Sequence, residues 1–90
     1  MELKKALRIT NDLGLHARSA ARIVELAGQF DARLYLSKDG YEVEGGSILS
    51  ILSLACPKGS EITVRIVGKD GAALMERLSE LFERKFEEGQ

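Results

Sequence analysis

The only histidine of the chain, His16, lies directly before a predicted helix that starts at Ala17. The first backbone N–H groups of a helix have no partners within it, and the peptide dipoles add partial positive charge there. This field disfavours a protonated imidazole and leaves a neutral ring nitrogen, which can act as a nucleophile near neutral pH. The field also stabilises an attached phosphoryl group, and Arg18 can donate hydrogen bonds to phosphate oxygens. The pattern therefore suits phosphoryl transfer.

The same residues also have a plainer interpretation. Histidine is often partly exposed and arginine is mostly solvated, so both side chains are compatible with an ordinary helix start. Asp12 lies four residues before His16, which is weak support for a catalytic pair. No Ser-His-Asp triad can be assigned from spacing alone. The residues by themselves leave the phosphoryl-transfer and capping interpretations open.

Other site chemistries lack their sequence signatures. The chain has one histidine and one cysteine, Cys56, with no CxxC pair, so we expect no metal site. There is no GxxxxGK[ST] loop and no GxGxxG loop, so we expect no nucleotide cofactor. We therefore expect a protein without cofactors and without independent catalysis.

Length and composition narrow the class further. Ninety residues are enough for one domain, residues 1–90. Thirteen basic and fourteen acidic residues give a net charge of −1, which does not favour nucleic-acid binding. No apolar run is long enough to cross a membrane, and the first residues do not resemble a signal peptide. A lone cysteine fits a reducing compartment, so we expect a cytoplasmic protein without membrane insertion.

Strand and helix patterns alternate along the chain in the order β-α-β-β-α-β-α. The Asp39-Gly40 pair between two extended runs is a strong hairpin signal. Because one strand pair is a tight hairpin, we predict an α+β domain with a mainly antiparallel four-stranded sheet and three helices on one face. The predicted elements are a strand over Leu3–Ile9, a helix from Ala17 ended near Gly28, the strands of ARLYLSKDGYEVEG, a helix from Ser47 closed by Pro57 and Gly59, the strand of EITVRIVG, and a helix from Ala72 to about Phe86.

The second predicted helix carries more apolar surface than a core requires. Its serines recur every third residue and occupy an arc of roughly 120°, and its apolar residues cover about 220°. We therefore expect Leu49 and Leu52 to face water as part of a protein-docking patch, although a deeply buried helix or scattered exposed leucines would also fit. Ser47 follows two glycines and is a natural N-cap, and a phosphate added there would change the charge beside the patch.

Two segments resemble one known family. GLHARSAA is similar to the GLHARPAA signature of HPr, the histidine-containing phosphocarriers of the phosphoenolpyruvate-dependent phosphotransferase system, and GSILSILSLACPKG is similar to the family's second segment. The resemblance implies an open-faced β-sandwich. It further implies that Enzyme I phosphorylates His16 with a group taken from phosphoenolpyruvate, and that phospho-His16 donates it to EIIA-type sugar-permease domains. A regulatory paralogue, of the nitrogen branch or switched through serine, is the alternative.

The resemblance also assigns individual roles. Arg18 matches the family's phosphate-contacting arginine, and Ser47 aligns with a serine that an ATP-dependent kinase modifies in many members. The implied partner-docking residues are Ala17, Ala21, Ile48, Leu49 and Leu52. Two positions depart from the pattern: Ser19 replaces a proline that would give a more rigid helix start, and Gly46 replaces the Lys or Asn that often precedes the serine. A monomer is expected, since successive partners must share one face.

Overall fold

The computed structural model describes residues 2–88 and contains one four-stranded antiparallel sheet. The strand order across the sheet is β1-β4-β2-β3. The hairpin between β2 and β3 turns at Asp39 and Gly40, which both have positive φ, as a two-residue type I′ turn requires. This confirms the predicted hairpin. The strands are β1 (Glu2–Arg8), β2 (Arg33–Lys38), β3 (Tyr41–Glu44) and β4 (Glu61–Val67).

Three helices cover one face of this sheet, as the sequence predicts. Their buried sides and alternate strand residues form a single core, which includes Ile23, Leu36, Val64 and Leu78. The element order β-α-β-β-α-β-α is also confirmed. The helices are α1 (Ala17–Ala27), α2 (Ile48–Leu52) and α3 (Gly71–Glu83).

The second helix is shorter than predicted. It ends at Leu52, with Ser53 as its C-cap, and the chain turns into left-handed backbone at Ala55 (φ 52°). This early end lets the following residue, Cys56, accept a hydrogen bond from Leu15 in the turn before α1. The segment that was predicted to complete α2 therefore supports the histidine turn.

The third helix also ends before its predicted limit, at Glu83, and is followed by a 3₁₀ turn over Lys85–Glu87. All three residues of that turn have positive φ, between 54° and 60°. Phe86 is nevertheless fully buried, with its ring centroid 4.8 Å from that of Phe82. Left-handed backbone costs roughly 1–2 kcal/mol per residue, and the burial of Phe86 offsets part of the cost of the three residues. The turn reverses the chain and directs Glu88 toward α1.

Candidate functional site

A tight turn positions the histidine. Gly14 has φ +69°, and a Cβ there would lie 2.5 Å from the carbonyl oxygen of Cys56, so the turn needs glycine on both conformational and steric grounds. The Leu15 N–H donates a 2.8 Å hydrogen bond to the same carbonyl. The turn is thereby fixed against the segment that follows α2, and this sets where α1 begins.

His16 is the N-cap of α1 and has extended backbone (φ −134°, ψ −176°). Its backbone N–H donates to the Ser19 hydroxyl at 2.9 Å, and its carbonyl accepts from the Ala20 N–H at 2.9 Å. The imidazole faces the backbone N–H of Ser19 in a capping-box arrangement, although the contact falls short of hydrogen-bond geometry. The histidine side chain remains 30% exposed, so the ring is held at the helix start and stays accessible.

Ser19 is a structural part of this turn. It is fully buried, and its hydroxyl also approaches the carbonyl oxygens of His16 (3.1 Å) and Gly14 (3.3 Å). The replacement of the family proline therefore adds a local polar link across the helix start, in place of the looser start that loss of proline alone predicts. The Ser19 hydroxyl makes this link, and a proline has no such group.

A carboxylate from the far end of the chain reaches the imidazole. Glu88 Oε2 lies 2.5 Å from His16 Nε2, and Glu88 Oε1 accepts a 2.9 Å hydrogen bond from Asn11 Nδ2. The Asn11 amide also donates to the Gly14 carbonyl oxygen at 2.8 Å. The side chain of Glu88 is only 7% exposed, and Asn11 is buried. Both carboxylate oxygens of Glu88 are thus engaged inside the site.

The electrostatics of Glu88 follow from these contacts. Burial alone would raise the pKa of the Glu88 carboxyl, but the hydrogen bonds from His16 and Asn11 outweigh that effect, with help from the charges of His16 and Arg18. The pKa of Glu88 is therefore lowered, and the group is an ionised acceptor at neutral pH. Spacing gave no signal for this contact, because 72 positions separate the two partners.

The remaining residues proposed from sequence lie around His16 with different exposures. Arg18 and Ala17 are exposed, and Ala21 is half-buried on the next turn of α1. Arg18 is near enough for its charge to favour the ionised form of Glu88. The histidine, the arginine and one end of α1 therefore share an accessible surface.

The neighbouring helix α2, which packs against α1, presents part of the expected apolar patch. Leu49 is 80% exposed and Ile48 is 37% exposed. Leu52 does not face water as predicted: it is half-buried and packs against the core, because α2 lies close enough to the sheet to cover this side of the helix. Leu13, in the histidine turn, is 69% exposed and was not singled out from sequence. Its turn setting hides it from helix-periodicity arguments.

Ser47 has the capping role that the sequence predicts. The Ser50 N–H donates to the Ser47 hydroxyl at 3.3 Å, and Ser47 is half-buried at the start of α2. Gly46 beside it is exposed.

Other reactive groups are less suited to chemistry. Cys56 is buried, and burial raises the pKa of its thiol, so little thiolate is present near neutral pH. Within residues 2–88 no group of three or more histidine, cysteine or acidic side chains is arranged to hold a metal ion. The helices over the same span include none that is both long and apolar enough to cross a bilayer.

Comparison with known proteins identifies the family. Residues 3–84 match the model of the family described as "PTS HPr component phosphorylation site". The phosphocarrier protein HPr of Xylella fastidiosa (strain Temecula1) is 44% identical over 86 residues, which cover 96% of this chain and 97% of that protein. The phosphocarrier protein NPr of Escherichia coli K12 is 37% identical, covering 98% of this chain and 99% of its own.

A solved structure gives the same result for the fold. The crystal structure of HPr-C-His from Thermoanaerobacter tengcongensis superposes with a TM-score of 0.92 at 33% identity, covering 98% of this chain and 99% of that one. The element order and the antiparallel sheet described above agree with this relative. The chain therefore belongs to the HPr phosphocarrier family of the phosphotransferase system.

Proposed function

We propose that this protein accepts a phosphoryl group from phospho-Enzyme I on His16 and passes it to EIIA-type sugar-permease domains. The observation that carries the proposal is the position of the chain's only histidine: its ring is part-exposed at the start of α1, with Arg18 on the same exposed surface. A ring nitrogen of His16 attacks phosphorus, the nitrogen–phosphorus bond forms, and the bond between phosphorus and Enzyme I breaks. The second transfer repeats this exchange with His16 as the leaving group.

The helix start can stabilise the phosphorylated state. The backbone N–H groups of the first turn of α1 and the helix dipole both favour an attached dianion, by about 0.3–2 kcal/mol for the dipole. Arg18 can add charge-assisted hydrogen bonds to phosphate oxygens. These contributions are modest, which suits a carrier, because a phosphoryl group held too strongly would not be passed on.

The docking surface of this proposal consists of Ala17, Ala21, Ile48, Leu49 and Leu52. The small alanines beside His16 allow close approach of a partner, and the exposed Ile48 and Leu49 of α2 supply apolar contact, to which the half-buried Leu52 adds less. Enzyme I and EIIA-type domains would use this surface in turn, so we propose a monomer that works in the cytoplasm and has no nucleic-acid partner.

The direct test combines the protein with Enzyme I and phosphoenolpyruvate and measures intact mass. We expect one added phosphate that is labile in acid and stable in base, and its loss in His16→Ala. Arg18→Ala should still be phosphorylated but more slowly. An acid-stable phosphate that persists in His16→Ala would contradict the proposal.

A regulatory paralogue is the second candidate, and the 37% identity to the Escherichia coli NPr is the observation that favours it. Such a protein would carry the same phosphoryl group without feeding sugar uptake. Phosphorylated protein, mixed in parallel with a sugar-specific and a regulatory EIIA domain, separates the two: the faster acceptor identifies the branch.

Phosphorylation of Ser47 by a dedicated serine kinase is a further part of the proposal. The hydroxyl caps α2, where Ile48 and Leu49 are exposed, so a phosphate would place negative charge next to the docking surface. Ser47→Asp should therefore lower the rate of transfer from Enzyme I while His16 stays competent. Equal rates for Ser47→Asp and the wild type would remove Ser47 from the scheme.

A further inference from the structure

We propose that Glu88 is a positioning residue for His16: its carboxylate holds the proton of Nε2 and so presents the opposite ring nitrogen, Nδ1, to the phosphoryl donor. This inference deepens the proposed function and rests on His16 being the residue phosphorylated. It concerns the tail of the chain, which lies beyond residues 3–84 of the family match.

The contact itself determines which nitrogen carries the proton. A carboxylate has no hydrogen to donate, so the 2.5 Å contact between Glu88 Oε2 and His16 Nε2 needs a proton on Nε2. In the neutral imidazole, which is the form that can attack phosphorus, only one nitrogen is protonated, so a proton on Nε2 leaves the lone pair on Nδ1. The contact with Glu88 therefore favours the tautomer that carries its proton on Nε2.

The carboxylate is held firmly enough to act in this way. Its second oxygen accepts from the buried amide of Asn11, whose other hydrogen is used by the Gly14 carbonyl. Phe86, two residues earlier, is fully buried and anchors the tail in the core. Between them, Glu87 pairs with Arg22 of α1 at 3.1 Å. Glu88 therefore has a defined position relative to His16 although it lies close to the chain end.

The charges around the pair are consistent with an ionised carboxylate. Arg18 on α1 favours it directly, whereas Arg22 is engaged by Glu87. In the histidine turn, Asp12 is paired with Lys58 at 2.8 Å and is further influenced by Lys85 of the tail. These neighbouring carboxylates are therefore matched by cations.

The chemical step balances with Glu88 in this role. The Nδ1 lone pair forms the bond to phosphorus, and the bond from phosphorus to the leaving group breaks with its electron pair going to that group. The Nε2 proton stays on the ring, which becomes positively charged as Nδ1 shares its pair. The adjacent carboxylate compensates this charge, and it blocks Nε2 as a competing nucleophile.

The test uses phosphoramidate as a small chemical donor, so that Enzyme I is not needed. Attack of the ring nitrogen on phosphorus then releases ammonia. Wild-type protein labelled with ¹⁵N should give one product, phosphorylated on His16 Nδ1, as identified by long-range ¹H–¹⁵N spectra. Glu88→Ala should give a mixture of Nδ1 and Nε2 isomers, with the Nδ1 product formed about tenfold more slowly.

Two controls separate positioning from general loosening of the tail. Glu87→Gln removes the neighbouring carboxylate and its pair with Arg22, and it should leave the single Nδ1 product unchanged. Titration of ¹³C-labelled carboxylates should show that the pKa of Glu88 rises in His16→Ala, because the hydrogen bond and charge that lower it are gone.

The inference is overturned if folded Glu88→Ala gives the same single isomer at the wild-type rate, if wild type is phosphorylated on Nε2, or if the pKa of Glu88 is unchanged in His16→Ala. Failure of the proposed function looks different. In that case the isomer pattern would respond to Glu88 while Enzyme I and phosphoenolpyruvate leave the protein unmodified.

Discussion

At the residue scale, His16 depends on neighbours that lie at very different distances along the chain. Ser19 is three residues away and Glu88 is 72 residues away. The first interaction holds the backbone of the turn, and the second holds the ring. Each can be removed without touching the histidine itself, so each gives a separate prediction.

Ser19→Ala removes the acceptor of the part-buried His16 N–H. We expect a loss of about 1 kcal/mol in the free energy of unfolding, the usual cost of a helix-start hydrogen bond. Urea denaturation measures it. Ser53→Ala, at an exposed hydroxyl on the end of α2, is the matched control and should change stability by less than about 0.5 kcal/mol. Equal losses in both variants would contradict the role given to Ser19.

The lowered pKa of Glu88 predicts a pH dependence of stability. A carboxyl whose pKa is lower in the folded than in the unfolded state stabilises the fold above the unfolded value, here near 4.5. That contribution is lost as the pH falls through the folded value. Wild type should thus be more stable than Glu88→Ala at neutral pH, and the difference should shrink on acidification below about 4.5. Urea denaturation across this range tests it, and a difference that grows in acid would show the sign to be wrong.

The parts of the site also differ in how far the sequence could predict them. His16 and Arg18 follow from their position before a helix, since the field at a helix start is a local property. The Asn11–Glu88 contact depends on where the chain goes after α3, including the left-handed turn around Phe86. Pattern arguments assume right-handed helix at such a position, so they extended α3 to about Phe86 and missed the reversal.

At the element scale, α2 divides its side chains between core and surface. Ile51 is fully buried, Leu52 is half-buried, and Leu49 is 80% exposed. Helical periodicity correctly predicted that the helix has surplus apolar surface and that Leu49 lies outside. It misplaced Leu52 because periodicity gives the angle between residues and does not say how deep the helix sits on the sheet.

Substitutions on this helix should therefore separate docking from stability. Leu49→Ser removes an exposed side chain, so we expect nearly unchanged stability. The KM of Enzyme I for this protein should rise about tenfold, which corresponds to the loss of an apolar interface contact of about 1.4 kcal/mol. Ile51→Ala should instead cost about 2–4 kcal/mol of stability. Steady-state kinetics and urea denaturation are the measurements.

Tyr41→Ser is the matched control for docking. Tyr41 is 58% exposed but lies at the start of β3, outside the docking surface. Its substitution should leave the KM for Enzyme I unchanged. Equal effects of Leu49→Ser and Tyr41→Ser would show that α2 has no special part in partner binding.

At the scale of the whole molecule, the sheet separates two kinds of surface. On the face away from the helices, Arg65 makes a bidentate pair with Glu42 at 2.8 and 2.9 Å and lies 4.1 Å from the Tyr35 ring centroid. The same contacts lower the pKa of Glu42 through its hydrogen bond with Arg65. This network is exposed, so its effect on stability is small.

Arg65→Ala therefore tests whether function is confined to the helix end that bears His16. We expect phosphorylation by Enzyme I within about twofold of wild type, because exposed pairs remote from a site rarely couple to it. Initial rates measure this. A loss as large as that of Arg18→Ala would mean that the open face of the sheet takes part in transfer.

The most direct measurement of the central claim follows the phosphoryl group through His16 from one partner to the next. Protein labelled with ³²P by Enzyme I is freed of that enzyme and mixed with an EIIA domain, and the label on each protein is followed by rapid quench. We predict that the amount of label lost from His16 equals the amount gained by the EIIA domain. When unlabelled carrier is then added in excess, label should move from the EIIA domain back to the carrier. Label that stays on this chain, or appears only as inorganic phosphate, would contradict a carrier role.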